Sequence, residues 1–165
     1  MEKAKKKTKP PKTDRQAAPS EATVFIVEDD AVMRGYLEEL IRSVDLHVES
    51  FDSAETFLKH YSLSGPACML LDVRMPGMSG LELQEKLRNE KVELPILIIT
   101  AHADVPMAVR AMHSGAFDFI EKPVNAQSLL ERVRHAIKYD ISHHRSKEFQ
   151  DEIRERLEKL SPREH

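Results

Sequence analysis

The sequence predicts an α/β domain built on one parallel sheet with helices on both faces. Short apolar runs alternate five times with longer segments of helical period between Thr23 and about Tyr139, the pattern of repeated βα units. Three of the runs, Val24-Phe25-Ile26-Val27, Cys68-Met69-Leu70-Leu71 and Ile96-Leu97-Ile98-Ile99, are apolar throughout, as strands covered on both faces must be. The same three runs end in polar groups able to do chemistry: Glu28-Asp29-Asp30, Asp72 and Thr100.

Taken in order, the strands are expected at Thr23–Val27, more weakly near His47–Phe51, then at Ala67–Asp72, Ile96–Thr100 and Phe117–Ile120. Pro66 and Pro95 stand just before the third and fourth, where a missing N–H interrupts no ladder. Pro76-Gly77 reads as a turn after the third. Helix starts are marked by Ser79 with Glu82 three residues on, by Asp104 with Pro106, and by Asn125 ahead of Leu129, Leu130, Val133 and Ile137 at helical spacing. This domain is expected to span 23–140. A polar stretch from Asp140 to Lys147 follows. Phe149, Ile153, Leu157 and Leu160 then predict an amphipathic helix within 141–165.

The chain has 165 residues, 41% hydrophobic and 32% charged, enough for one globular domain with tails. It holds no apolar run long enough to span a bilayer, and its Lys-rich start has no apolar stretch behind it, so a cytoplasmic location and no membrane partner are expected. Residues 1–22 carry a net +4, leaving −7 for the rest of a chain at −3. With three prolines and almost no large apolar residue, this basic tail is expected to be disordered. The single Cys68 lies inside an expected buried strand and reads as a small core hydrophobe.

Three adjoining carboxylates at the end of a buried strand repel one another. Two such charges about 4 Å apart oppose each other by about 4 kcal/mol at an effective dielectric near 20, and a cation is the natural remedy. In an open parallel sheet, function gathers beyond the carboxyl ends of the strands. The three acids, Asp72, Thr100 and Lys122 all fall on that edge. A hard divalent cation such as Mg²⁺ would take Asp29, Asp72 and a backbone carbonyl two residues beyond Asp72. Thr100 could donate to a phosphoryl oxygen, and Lys122 could neutralise charge spreading over those oxygens during transfer. Singly, each residue has a plainer reading: an acidic cluster caps a helix, and a strand-end Thr or a Lys before Pro is structural or solvated. Their conjunction on one edge points to phosphoryl transfer.

Val27-Glu28-Asp29-Asp30, Asp72-Val73-Arg74-Met75-Pro76-Gly77-Met78-Ser79-Gly80, Thr100-Ala101-His102-Ala103-Asp104-Val105-Pro106-Met107-Ala108 and Phe119-Ile120-Glu121-Lys122-Pro123 together resemble a bacterial two-component response-regulator receiver domain, of the FixJ subfamily of NarL/LuxR-type regulators. The resemblance covers roughly residues 22 to 140. It implies a flavodoxin-like (βα)5 fold with strand order 2-1-3-4-5, and a signalling phosphoacceptor rather than a turnover enzyme. By that resemblance Asp72 accepts a phosphoryl group from a sensor histidine kinase. Asp29 binds Mg²⁺ directly and Glu28 through water, while Arg74 offers its backbone carbonyl. Thr100 and Phe119 form the switch pair, Lys122 contacts the phosphoryl group, and the bond before Pro123 is cis. Phosphorylation would draw Thr100 toward the new oxygens, turn Phe119 inward and alter the surface around the fourth helix and fifth strand. Glu28 stands where Asp is more usual, and Phe119 where many receivers carry tyrosine. Arg74 and His102 occupy positions that influence how fast the phosphoryl group is lost.

The terminal helix resembles the linker to a helix-turn-helix domain, and Leu160-Ser161-Pro162-Arg163-Glu164-His165 resembles that domain's opening. The expectation is an output domain that is truncated or naturally absent, and no DNA binding by this chain alone. The apolar stripe could pair with its copy in a homodimer, as could the α4–β5 face, or fold back on the domain. His143-His144 is a poor metal site, since adjacent residues on a helix point apart. A phosphatase of the aspartyl-phosphate type is disfavoured by Arg74, which stands where such enzymes place a second acid. A flavodoxin-like cofactor carrier is disfavoured by three acids where a phosphate-cradling loop would lie. The remaining alternative is a stand-alone receiver acting by protein contact or as a phosphate sink.

Overall fold

The computed structural model describes residues 21–101 and 104–160. The basic tail expected over 1–22 therefore lies almost wholly outside the described residues, as do His102 and the closing five residues. The elements run β1 (Thr23–Val27), α1 (Ala31–Arg42), β2 (His47–Phe51), α2 (Ala54–His60), β3 (Ala67–Asp72), α3 (Gly80–Asn89), β4 (Ile96–Thr100), α4 (Val105–His113), β5 (Asp118–Glu121) and α5 (Ala126–Leu160). All strand pairs are parallel, in the order β2-β1-β3-β4-β5. This is the flavodoxin-like arrangement that the resemblance implied.

Alternation along the strands divides the core in two. Phe25, Val27, Met69, Leu71 and Ile98 pack on one face against Ala54 and Phe57 of α2, Leu83 and Leu87 of α3 and Ala111 of α4. Val24, Ile26, Cys68, Leu70, Leu97 and Ile99 pack on the other against Leu37 and Ile41 of α1 and Leu129, Val133 and Ile137 of α5. Two-sided burial is why the inner strands read as unbroken apolar runs. β2 is an edge strand with His47 and Glu49 exposed, which accounts for its weaker signal. Cys68 is fully buried, and burial, with the charge of Asp140 adding to it, pushes its thiol up, so it behaves as core.

The capping signals correspond to bonds. Ser79 Oγ accepts the Glu82 N–H (3.2 Å), Asp104 the Met107 N–H (2.7 Å) and Asn125 the Ser128 N–H (3.0 Å). β5 begins one residue later than the apolar pattern suggests. The ladder with β4 starts at the pair Leu97 and Asp118; Phe117, just before it, donates its N–H to Ile96 C=O (2.8 Å) and packs its ring 5.4 Å from that of Tyr139.

The terminal helix is continuous with the last helix of the domain. The polar stretch Asp140–Lys147 does not interrupt it; α5 is one helix of 35 residues. Asp140 is only 3% exposed, and its carboxylate accepts the Ala67 N–H at the start of β3 (2.9 Å). His144 Nε2 lies 3.0 Å from Asp140, and Glu93 pairs with both His143 and Lys147 at 3.3 Å. These polar residues fasten the helix to the domain. The two adjacent histidines thus turn to different carboxylates. Beyond them residues 145–160 are exposed, the Phe149–Leu160 stripe included, so the helix does not fold back. Among the described residues no helix is long and apolar enough to cross a membrane.

Candidate functional site

The three acids after β1 separate by role. Asp30 is the N-cap of α1, its Oδ1 accepting the N–H groups of Val32 (2.9 Å) and Met33 (3.0 Å). The plainer reading holds for this one residue. Glu28 and Asp29 turn instead to β3: with Asp72 they offer carboxylate oxygens lying within 4.8 Å of one another. Glu28 and Asp72 are buried, whereas Asp29 is open to solvent.

Lys122, delivered from the far edge of the sheet, reaches into this group. Its Nζ lies 3.0 Å from Glu28 Oε2 and 3.8 Å from Asp72 Oδ1. Its backbone N–H is fixed on Thr100 C=O at 2.8 Å, and the Lys122–Pro123 bond is cis. Burial above all, reinforced by the charge of Glu28, raises the Asp72 carboxyl to about 7; Lys122 opposes the rise and Asp29 adds to it. One ammonium does not offset three carboxylates. An all-oxygen donor set with unbalanced negative charge fits a hard divalent cation.

Thr100 ends β4, buried, next to the strand that carries Asp72. Phe119 pairs with Ile98 in the ladder and packs, half-buried, against the cluster beneath α4, so Thr100 and Phe119 share one face of the sheet. Arg74 is exposed, two residues past Asp72 in the loop to α3. A cleft of about 710 Å³ lined by Gln84, Leu94, Pro95, His113 and His143 lies at the opposite end of the strands, away from the acids.

Two supporting residues were given no role by the sequence. Arg34 Nη1 donates to the carbonyls of Glu28 (2.9 Å) and Asp29 (3.4 Å), holding the β1–α1 turn from inside α1. Gly80 lies so close to β3 that a Cβ would sit 2.1 Å from the Asp72 carbonyl oxygen. Only an unsubstituted α-carbon lets α3 start there.

Residues 24–134 match the response regulator receiver domain family. Nodulation protein W of Bradyrhizobium diazoefficiens is 43% identical over 147 residues, 89% of this chain and 65% of that protein. Transcriptional regulatory protein FixJ of the same organism is 39% identical over 141 residues, 86% of this chain and 69% of that protein. The chain therefore spans about two thirds of the length of these curated relatives. The solved structure of the response regulator StyR aligns with a TM-score of 0.79 and 43% identity, covering 87% of this chain and 72% of that one. With its strand order, its acids gathered beside Asp72 and relatives of this kind, the chain belongs to the response regulator receiver domain family, in its FixJ-like branch.

Proposed function

We propose that this chain is the phosphoacceptor of a two-component phosphorelay, with Asp72 receiving a phosphoryl group from a sensor histidine kinase in the cytoplasm. The observation that carries the reading is the buried Asp72 carboxylate gathered with Glu28 and Asp29, with the Lys122 ammonium 3.8 Å from Asp72 and 3.0 Å from Glu28. Asp72 acts as the nucleophile. One carboxylate oxygen attacks phosphorus in line, the O–P bond forms as the N–P bond of the kinase phosphohistidine breaks, and the electron pair stays on the imidazole nitrogen, which takes up a proton. Asp29, Asp72 and the Arg74 carbonyl would hold Mg²⁺, with Glu28 acting through water; bound there, it would neutralise the carboxylates and the incoming oxygens. Lys122 offsets charge on the transferring group, and Thr100 donates to it once it is attached.

The movement of Thr100 and an inward turn of Phe119 then alter the α4–β5 surface. Exposed Val109 and Met112 on α4 and the Phe149–Leu160 stripe on α5 support a homodimer through either surface. In a longer form the output would be transcriptional. DNA binding is not assigned to the domain over 23–140 and its α5 extension by themselves. Incubation with acetyl phosphate and Mg²⁺, followed by intact mass and peptide mapping, tests the reading. One phosphoryl group, about 80 Da, is expected on Asp72, dependent on Mg²⁺ and absent from Asp72→Ala. No adduct under conditions that label another receiver would favour the second reading, a stand-alone domain working by contact or as a phosphate sink.

A further inference from the structure

The loop from β3 to α3 lies between the phosphoacceptor and the next helix, and it holds the Arg74 carbonyl. Its base is closed by the Gly80 N–H donating to Val73 C=O at 2.9 Å. Within it Met75 is buried and Met78 packs against the same cluster. The outer turn meets a group from a different element: Glu55 Oε1 of α2 accepts the Met78 N–H at 2.7 Å. A Cβ on Gly77 would stand 2.6 Å from that same oxygen, so bare backbone, with φ +76°, rests on the carboxylate.

The foot of this strut is firm. Glu55 is in the first turn of α2, whose N-cap Ser53 accepts the Thr56 N–H at 3.0 Å. Phe57, two residues on, is fully buried with its ring edge-on to Phe25 (5.6 Å) and Phe51 (5.4 Å). Glu55 is held below the ordinary carboxylate range, first by the Met78 N–H, so this bond has an ionised acceptor at neutral pH.

We propose that Glu55 is a positioning residue for the phosphoryl-transfer site: its carboxylate props the Gly77–Met78 turn and thereby sets the backbone of the loop that presents the Arg74 carbonyl to a divalent cation beside Asp72. This rests on the phosphoacceptor reading and adds to it a residue on another helix, 17 positions before the nucleophile.

The test compares wild type with Glu55→Ala and Glu55→Gln. Amide exchange is followed by NMR on the metal-free protein, and a titration with Mg²⁺ alone by amide shifts. In Glu55→Ala the Met78 amide should lose protection while strand amides keep theirs. Mg²⁺ binding should weaken by roughly tenfold, the low end of what losing the partner of a metal ligand costs. Glu55→Gln, which keeps an acceptor at the same place, should recover most of both. Unchanged Met78 exchange and unchanged Mg²⁺ affinity in Glu55→Ala would overturn the proposal. So would a lowered melting temperature with unchanged Mg²⁺ affinity, which is what a merely stabilising bond predicts. Should Glu55→Ala not fold, Glu55→Gln decides: Mg²⁺ affinity lost there, with native dispersion, also counts against the strut. Wild type that takes up no phosphoryl group on Asp72 would instead defeat the underlying reading, whatever Glu55 does.

Discussion

Replacing Asp72 by Asn should make the protein more stable at pH 8, and the structure gives the size of the effect. The Asp72 carboxyl, ordinarily near 3.8, is raised to about 7 by burial and by the charge of Glu28. Between these values the folded state binds a proton that the unfolded chain has lost, so the contribution of Asp72 to stability falls as pH rises from 4 to 7 and levels off above. A shift of about three units at 1.36 kcal/mol each sets a ceiling of about 4 kcal/mol. The Asn variant forgoes the attraction between Lys122 and Asp72 but keeps Lys122 on Glu28 at 3.0 Å, so it has no orphaned ammonium. That attraction is already netted in the rise to about 7; discounting the ceiling about twofold for solvent screening of a partly solvated site leaves about 2 kcal/mol, or about 6 °C in melting temperature for a domain of this size. Urea unfolding in EDTA, from pH 4.5 to 8.5, measures it. The gap between variant and wild type should be small at the acid end and fully open by pH 8. An Asn variant no more stable than wild type at pH 8, or a gap that stays constant with pH, would refute the argument that burial and like charge raise Asp72.

Gly80→Ala puts a Cβ 2.1 Å from a backbone oxygen that cannot yield, so α3 must shift. The variant should lose about 3 kcal/mol in denaturant unfolding and label poorly with acetyl phosphate; near-wild-type stability would show that the helix start adjusts freely. Asp140→Ala strands the buried Ala67 N–H and releases His144. It should cost about 2 kcal/mol and speed amide exchange along 141–160, and unchanged exchange there would mean that Glu93 alone holds the helix.

The inner strands could be read from the sequence because burial on both faces writes itself as consecutive apolar residues. Asp72, Thr100 and Lys122 were legible for a related reason: each ends or follows such a run, and in a parallel sheet those ends share an edge. By residue type alone Glu28 and Asp29 could not be told from Asp30; the family resemblance set the first two apart, and the fold shows Asp30 capping the following helix while the others cross to β3. Arg34, Glu55 and Gly80 act through backbone atoms of other segments, and backbone leaves no trace in residue type. The anchoring role of the polar stretch from Asp140 was not legible because polarity marks solvent more often than an anchor. A carboxylate that meets a strand-opening N–H across 73 positions is invisible to local pattern.

Because α5 is unbroken, its far end has a fixed bearing relative to the sheet. At about 100° per residue, Phe149 falls about 180° around the axis from Asp140 and Leu160 about 200°. Ile153 and Leu157 lie within some 80° of that diametric line. The stripe is therefore turned away from the domain by residue count alone, on a shaft of about 30 Å beyond Asp140. Adding two residues between Asp140 and Phe149 would swing it by about 200° to face the domain, whereas adding seven would nearly restore its heading and only lengthen the reach.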